Sequence, residues 1–304
     1  MPHDHHHHHV PQGDGKLVAA VGVNLFLTVA QVVGGVISGS LALIADALHN
    51  LSDALALVIA LVARKIARRP ADAEMTFGYA RAETVAALVN YTTLIVLALY
   101  LVYEALMGVI SPEPVAGWIM VIVAGIALAV DLATAALTYA MSKTSQNIRA
   151  AFLHNLADAL GSVAVIVAGS LILLFGWTIV DPIVTFAIAG YILWMSIAEI
   201  GGVIRILMLG APDTIDTGNV VRDIAAVEGV DSVHHAHLWQ MEEHRPALEA
   251  HVVIAAGRWG EADAIKGRVK DALQRVGIDH STLELECSNH ACTDPKVIGH
   301  RVSG

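Results

Sequence analysis

The sequence predicts an α-helical membrane protein with six transmembrane helices and a C-terminal cytoplasmic α+β domain of order α-β-β-α-β. Composition is the first indication, because 56% of the 304 residues are hydrophobic and only 15% are charged. The mean hydropathy of +0.62 is far above that of a soluble domain. The second indication is a series of long apolar runs, and the third is a change to short alternating patterns after Gly210.

These patterns divide the chain into three predicted regions. Residues 1–16 form a disordered His-rich tail, residues 17–210 the membrane domain, and residues 211–304 the cytoplasmic domain. A helix needs about 20 residues to cross a hydrocarbon core, and six apolar runs reach that length. The predicted spans are 17–37, 41–63, 84–110, 115–141, 150–175 and 178–208.

Basic residues indicate the orientation of these spans. They occur after the second span, at Arg64, Lys65, Arg68, Arg69 and Arg81, and after the fourth, at Lys143 and Arg149. The loops on the other side contain no Lys or Arg. The positive-inside rule therefore puts both termini in the cytoplasm, and the short loops favour a bacterial inner membrane.

The C-terminal region has the pattern of a small two-layer domain. Helices are predicted over 214–228 and 260–276, and strands over 231–241, 247–255 and 281–287. Helices on one face of a short sheet are the usual result of this order. The net charge of −10 is concentrated in this region, which argues against nucleic acid as a partner.

A repeated heptad carries the clearest chemical signal. His49–Leu55 recurs as His154–Leu160, and the two copies are identical at six of seven positions. Residues four apart share one face of a helix, so each copy presents an imidazole and a carboxylate together. If the two faces meet, His49, Asp53, His154 and Asp158 form a tetrahedral site suited above all to zinc.

Such a site couples metal binding to protons. Imidazole must be neutral and carboxylate ionised to bind a metal, and the ordinary pKa of histidine is about 6.5. Exchange of metal for protons therefore follows from the ligand set. Other polar residues of the spans, among them Gln31, Asp46, Asp131 and Asp181, are predicted to be interhelical hydrogen-bond partners, and Asp46 also a candidate entry group.

Three alternatives stay open at this stage. The His–Asp pairs could serve only to pack two helices, although ionisable groups within apolar spans usually have a function. An intramembrane zinc enzyme would need an open coordination position and a general base; the sequence has no His-Glu-x-x-His motif. A metal-sensing receptor would need a signalling extension, and the chain carries no recognisable kinase or DNA-binding motif.

The two ends of the chain hold further metal-binding candidates. They are His234, His237, His251, Glu284, Glu286, Cys287 and Cys292 in the cytoplasmic domain, and the run His5–His9 near the N-terminus. Strand alternation predicts His235 and His237 on one face and His234 on the other. The two cysteines are either free thiols or soft metal ligands, and the histidine run is either a metal-capturing tail or an expression tag.

Together these features resemble the zinc-transporting branch of the cation diffusion facilitator family. Further matches are the segments Ser40–His49 and Phe77–Glu83, and Asp181-Pro182 at the start of the sixth span. The resemblance implies a homodimeric metal–proton antiporter that exports zinc from the cytoplasm by alternating access, with no organic cofactor. It also implies transport through the paired motif and regulatory zinc near His234, His251, Glu284 and Glu286.

The sequence departs from the family pattern at two places. Met75 and Tyr79 stand where some members have histidines of a second loop site, and Leu207–Gly210 lacks the acidic residues that would pair with Arg81. The resemblance does not decide whether cadmium, cobalt, nickel or manganese shares the route, because selection among such metals depends on cavity geometry.

Overall fold

Six long helices precede a small α+β domain. The computed structural model describes residues 14–142, 146–242 and 245–299; it leaves out the side chains at 14–21, 23–24, 53, 57, 137–138, 140–142, 146–151 and 153–154. The helices are α1 (Asp14–Ser38), α2 (Leu41–Ala67), α3 (Ala82–Ile110), α4 (Gly117–Ser142), α5 (Gln146–Phe175) and α6 (Val180–Leu207).

These helices correspond to the six predicted spans, with ends shifted by a few residues. Within the described residues, α2, α3, α6 and most of α4 and α5 are long and apolar enough to cross a membrane, and α1 contributes a shorter apolar stretch, Leu25–Ser38. Large hydrophobic side chains such as Phe26, Leu61 and Trp194 are exposed on their outer faces, as expected of surfaces that face lipid. The predicted helical membrane fold is confirmed.

Helices α4 and α5 pack against each other through glycine. A Cβ atom on Gly117 would lie 2.6 Å from the carbonyl oxygen of Gly169, and one on Gly169 would lie 3.0 Å from that of Gly117. Only residues without a side chain allow this approach. Farther along the same contact, Met120, Ala124 and Val165 are fully buried.

Helix α2 begins under a cap supplied by α6. The Asp181 carboxylate accepts hydrogen bonds from the Ser40 hydroxyl and from the backbone N–H groups of Leu41 (2.8 Å) and Ala42 (3.3 Å). The first N–H groups of a helix have no partner within the helix. Asp181 therefore fixes the start of α2, which carries the first heptad.

By their contacts, the residues form two compact units. The first contains Met1–Ile59 and Asn90–Ala198, and the second contains Ala60–Val89 and Glu199–Gly304. The second unit thus joins the ends of α2, α3 and α6 and the 68–81 connection to the C-terminal domain.

The C-terminal domain has the predicted order α-β-β-α-β. Its elements are α7 (Thr217–Ala225), β1 (Val230–Glu242), β2 (Arg245–Ile254), α8 (Ala262–Arg275) and β3 (His280–Cys287). Strand β2 is central, antiparallel to β1 and parallel to β3. Hydrophobic residues of α7 and α8 pack on one face of the sheet, with Ile224, Leu248, Ile254, Ile265 and Leu273 almost fully buried.

Candidate metal centres

A buried histidine–carboxylate pair joins helices α2 and α5. His49 Nε2 lies 3.4 Å from Asp158 Oδ1, and the two residues expose only 8% and 9% of their surface. Each belongs to one copy of the repeated heptad, so the two copies meet inside the first unit. The other two heptad candidates, Asp53 and His154, have helical backbones in α2 and α5, but their side chains lie outside the described residues.

A hydrogen-bonded network lies one turn from His49. The Gln31 amide of α1 donates to Asp46 Oδ2 at 2.6 Å, and the Asn50 amide donates to Gln31 Oε1 at 3.1 Å. Gln31, Asp46 and Asn50 expose 4% of their surface or less. A Cβ atom on Gly161 of α5 would lie 3.2 Å from Asp46 Oδ1. The network therefore links α1 and α2. Because Gly161 has no side chain, α5 can lie close to Asp46.

Several carboxyl groups converge in this interior. Asp46 is near enough to His49, Asp131 and Asp158 for their charges to interact, and Asp131 accepts a hydrogen bond from Ser162 at 3.3 Å. The sequence contains no Lys or Arg between Lys16 and Arg64, between Arg81 and Lys143, or between Arg149 and Arg205. Buried carboxylates near one another are costly when all are charged. This interior therefore favours protons or a bound cation.

The C-terminal sheet carries a second cluster of metal-binding groups. His234 pairs with His251 across β1 and β2, and His251 pairs with Glu284 across β2 and β3. His251 Nδ1 is 2.6 Å from Glu286 Oε1, and its Nε2 is 3.3 Å from Glu284 Oε2. His234 Nε2 is 3.3 Å from Glu286 Oε2. His251 and the two carboxylates are thus close enough to share a cation, and His234 lies beside Glu286.

A β-bulge adds a further histidine to this cluster. The pairing of β1 with β2 shifts register between His234 and His237, and His235 has a positive φ of 47°. The His235 ring consequently lies 5.0 Å from the His234 ring and 4.9 Å from the His251 ring, measured between centroids. The expectation that alternation separates His234 from His235 was therefore wrong, because alternation requires an uninterrupted strand.

The two cysteines occupy different environments. Cys292 lies after β3, and its Sγ is 3.5 Å from Glu286 Oε1 while its backbone N–H donates to Glu286 Oε2 at 3.1 Å. Cys287 is the last residue of β3 and pairs with Ile254 of β2. His237, a further candidate from the sequence, lies on β1 and pairs with Glu249 of β2. Among the described residues, ligand atoms within 4.8 Å of one another form two groups, His234–His235–His251–Cys292 and His251–Glu284–Glu286. Neither His237 nor Cys287 belongs to them.

The hydrogen bonds of Glu286 favour its charged form. Burial opposes ionisation of the carboxyl, yet the hydrogen bond with His251 and those from Cys292 lower its pKa below the ordinary value. For Cys292, partial desolvation and then the neighbouring Glu286 raise the pKa of the thiol. Without a metal the cluster therefore contains a carboxylate beside a protonated thiol.

The 68–81 connection ends on strand β1, within the second unit. The Arg81 guanidinium donates to the carbonyl oxygens of Met241 (3.0 Å) and Gln240 (3.1 Å). It also lies 5.7 Å from the Trp239 ring centroid, and the rings of Trp239 and Phe77 form a T-shaped contact. Arg81 thus binds backbone carbonyls of the C-terminal domain. The sequence gives no signal for this contact, since carbonyl acceptors leave no trace in a side-chain pattern.

The fold and both clusters define an integral membrane protein with metal-binding groups in its helices and in its C-terminal domain. Two family models match most of the chain: the cation efflux transmembrane domain over residues 17–208 and the cation efflux protein cytoplasmic domain over residues 212–286. The chain belongs to the cation efflux family of transporters, the cation diffusion facilitators.

Its relatives include named bacterial metal transporters. The zinc transporter ZitB of Pectobacterium atrosepticum is 37% identical over 95% of this chain and 92% of its own length. A cadmium, cobalt and zinc/H(+)-K(+) antiporter of Bacillus subtilis is 34% identical, with coverages of 94% and 93%. The ZitB of Escherichia coli is 36% identical, also with coverages of 94% and 93%.

Proposed function

We propose that this protein is a zinc–proton antiporter that exports zinc from the cytoplasm by alternating access. The observation that carries the proposal is the buried group formed by His49, Asp46, Asp131 and Asp158, within helices that contain no basic residue near them. The nearest Lys or Arg along these helices is nine residues or more from any of the three carboxylates. Such a group attracts a divalent cation, and protons compete with the cation for the same carboxylates.

Competition for the same atoms couples the two ions. Zinc binds His49 and Asp158 only when the imidazole is neutral and the carboxylate ionised. A proton that reaches either group weakens the site, and zinc that enters displaces protons. If the site opens first to the cytoplasm and then to the other side, a proton gradient releases zinc where protons are abundant. Zinc thus leaves on the side from which protons enter, and protons leave on the side from which zinc enters.

Asp53 and His154 complete the proposed transport site. Both belong to the same heptads as His49 and Asp158, and a spacing of four residues puts each pair on one helix face. Two imidazoles and two carboxylates form a tetrahedral set that holds zinc reversibly. The names of relatives also include cadmium and cobalt, so these ions are proposed as additional substrates, with nickel and manganese as weaker candidates.

The C-terminal domain is proposed to be cytoplasmic, homodimeric and regulated by zinc. The distribution of Lys and Arg supports cytoplasmic termini, and the family model for this domain carries the description cytoplasmic. The proposed regulatory ligands are His234, His251, Glu284 and Glu286. His251 lies within ion-pair distance of both carboxylates, and His234 lies within ion-pair distance of Glu286. Residues 1–16, 17–210 and 211–304 are the proposed functional regions, and no organic cofactor takes part.

The direct test is zinc uptake into sealed proteoliposomes under an imposed pH gradient. We expect uptake by the wild type to follow the gradient, and Asp158→Ala to reduce it to the leak of protein-free vesicles. Leu160→Ala is the matched control, since Leu160 is on the same helix with its side chain exposed. Wild-type flux in Asp158→Ala would exclude this site. Zinc flux that ignores the gradient would exclude proton coupling.

A further inference from the structure

The chain continues beyond the residues matched by the cytoplasmic-domain family model, which end at Glu286. The following segment, residues 288–299, returns to the bulge of β1. The backbone N–H groups of His235 and Ala236 donate to the carbonyl oxygens of Lys296 and Val297, both at 3.0 Å, and Gly299 N–H donates to Ala236 O at 3.2 Å. Residues His235 and Ala236 of the bulge therefore pair with this segment and not with β2. We call residues 288–299 the returning segment.

The returning segment carries Cys292 to the histidines. The Cys292 backbone N–H is bonded to Glu286 Oε2 at 3.1 Å, which fixes the thiol beside the cluster. One ligand atom each from His234, His235, His251 and Cys292 lies within 4.8 Å of the others. Ligand atoms around a tetrahedral zinc are about 3.5 Å apart. Closing this group around a metal therefore needs movements of about 1 Å at side-chain ends.

The buried Nε2 atom of His234 is evidence that a cation binds at this place. His234 exposes only 3% of its surface, and its Nε2 makes no hydrogen bond among the described residues. Buried polar atoms without a partner are rare. Glu286 Oε2 lies 3.3 Å away, so the environment of this nitrogen is negative and suits a positively charged ligand.

We propose that the returning segment provides Cys292 as the thiolate ligand of a tetrahedral site whose other ligands are His234, His235 and His251. Binding replaces the S–H bond by a metal–sulfur bond and releases the thiol proton. Glu286 accepts from His251 Nδ1 and so orients that imidazole toward the metal. The site takes thiophilic divalent cations such as zinc, cadmium and cobalt.

This site deepens the regulation proposed for the C-terminal domain and does not depend on transport. It overlaps the group formed by His251, Glu284 and Glu286, since both use His251. A thiolate favours softer metals, whereas two carboxylates favour harder ones. Cys292 therefore makes the regulatory site more selective for zinc and cadmium than its histidines and carboxylates would be.

The test is titration of the purified full-length protein with Co²⁺, followed by its absorption spectrum. A cobalt–thiolate bond produces a charge-transfer band in the near ultraviolet, and cobalt held by nitrogen and oxygen alone does not. We expect the band in the wild type and in Cys287→Ser, the matched control, and its loss in Cys292→Ser. Cys292 is exposed, so this substitution does not disturb the core.

Each outcome has a definite meaning. A band that persists in Cys292→Ser, or disappears only in Cys287→Ser, overturns the proposal. Cobalt binding without any sulfur band also overturns it and leaves the regulatory site with histidine and carboxylate ligands only. Because the proposed transport ligands contain no sulfur, failure of zinc uptake in proteoliposomes has no effect on this band, so the two proposals fail separately.

A second measurement tests the histidine ligands. Alkylation of Cys292 by iodoacetamide should become slower when zinc is added to the wild type, because a metal-bound thiolate is a poor nucleophile. We expect His235→Gly, which keeps the positive φ without strain, to abolish this protection. Protection that remains in His235→Gly would remove His235 from the site.

Discussion

The membrane site and the C-terminal cluster use similar ligands but surround them differently. In the membrane, His49 and Asp158 come from two helices, and the supporting hydrogen bonds come from neutral amides such as Gln31 and Asn50. In the C-terminal domain, His234 and His251 lie side by side on paired strands and are held by Glu286. The proposed transport site must bind and release zinc in every cycle, which suits movable helices, whereas a site that retains its ion is suited to a sheet.

The first prediction separates the two sites by their effect on transport. His49→Ala should reduce zinc uptake to the leak of protein-free vesicles, because it removes a ligand of the proposed transport site. His234→Ala should retain uptake at saturating zinc and lose metal binding by the C-terminal domain. Initial uptake rates and equilibrium dialysis measure these two properties on the same preparations.

His237→Ala serves as the control for this pair, since His237 lies on the same strand as His234 but in neither ligand group. We expect it to change neither property. Equal loss of uptake in His49→Ala and His234→Ala would mean that the C-terminal cluster takes part in each transport cycle. The two sites would then not differ in function.

The second prediction concerns the amide support of the membrane site. Gln31→Leu removes the donor to Asp46, and leaving a buried polar group without its partner costs about 1–3 kcal/mol. Apparent zinc affinity in uptake assays should therefore fall by about tenfold or more. Val33→Ala, at an exposed position of the same helix, should have no effect. An unchanged affinity in Gln31→Leu would show that Asp46 lies outside the transport pathway.

The third prediction tests whether helix packing can be separated from metal binding. Asp181→Ala removes the cap of α2 and should lower the free energy of unfolding by about 1–3 kcal/mol. Thermal unfolding in detergent, followed by circular dichroism, measures this loss, and Ile183→Ala on the lipid-facing side is the control. A variant of normal thermal stability that no longer transports zinc would make Asp181 a functional rather than a structural residue.

The smallest expected effect concerns the contact between Arg81 and strand β1. Arg81→Ala removes two hydrogen bonds to carbonyl oxygens and the contact with Trp239, a loss of about 1 kcal/mol. Amide hydrogen exchange over residues 77–83 and 239–242 should become faster, while uptake at saturating zinc stays near wild type. Arg81→Lys keeps the charge but loses the two-pronged donor geometry, so its exchange should be intermediate. Loss of uptake as complete as in His49→Ala would assign Arg81 to the transport cycle.

Local patterns in the sequence determined most of the architecture. The length of an apolar run decides whether it can cross a membrane, and the periods of helix and strand decide which face is buried. For this reason the six spans, the order α-β-β-α-β and the two heptads were all visible in the sequence. The heptads also identified His49 and Asp158 as candidate ligands. Their spacing in the chain does not show that the two side chains meet, nor at what distance.

Contacts between distant residues were decided by the tertiary structure alone. The Asp181 cap joins positions about 140 residues apart, and the bulge that turns His235 toward His251 depends on pairing with residues 296–299. Neither event changes the periodicity of the segments involved, because a single extra residue in a strand or a single cap leaves the surrounding pattern intact. The sequence by itself thus specified which elements form and which residue types are available for metal, whereas packing in three dimensions decided which of those residues share a site.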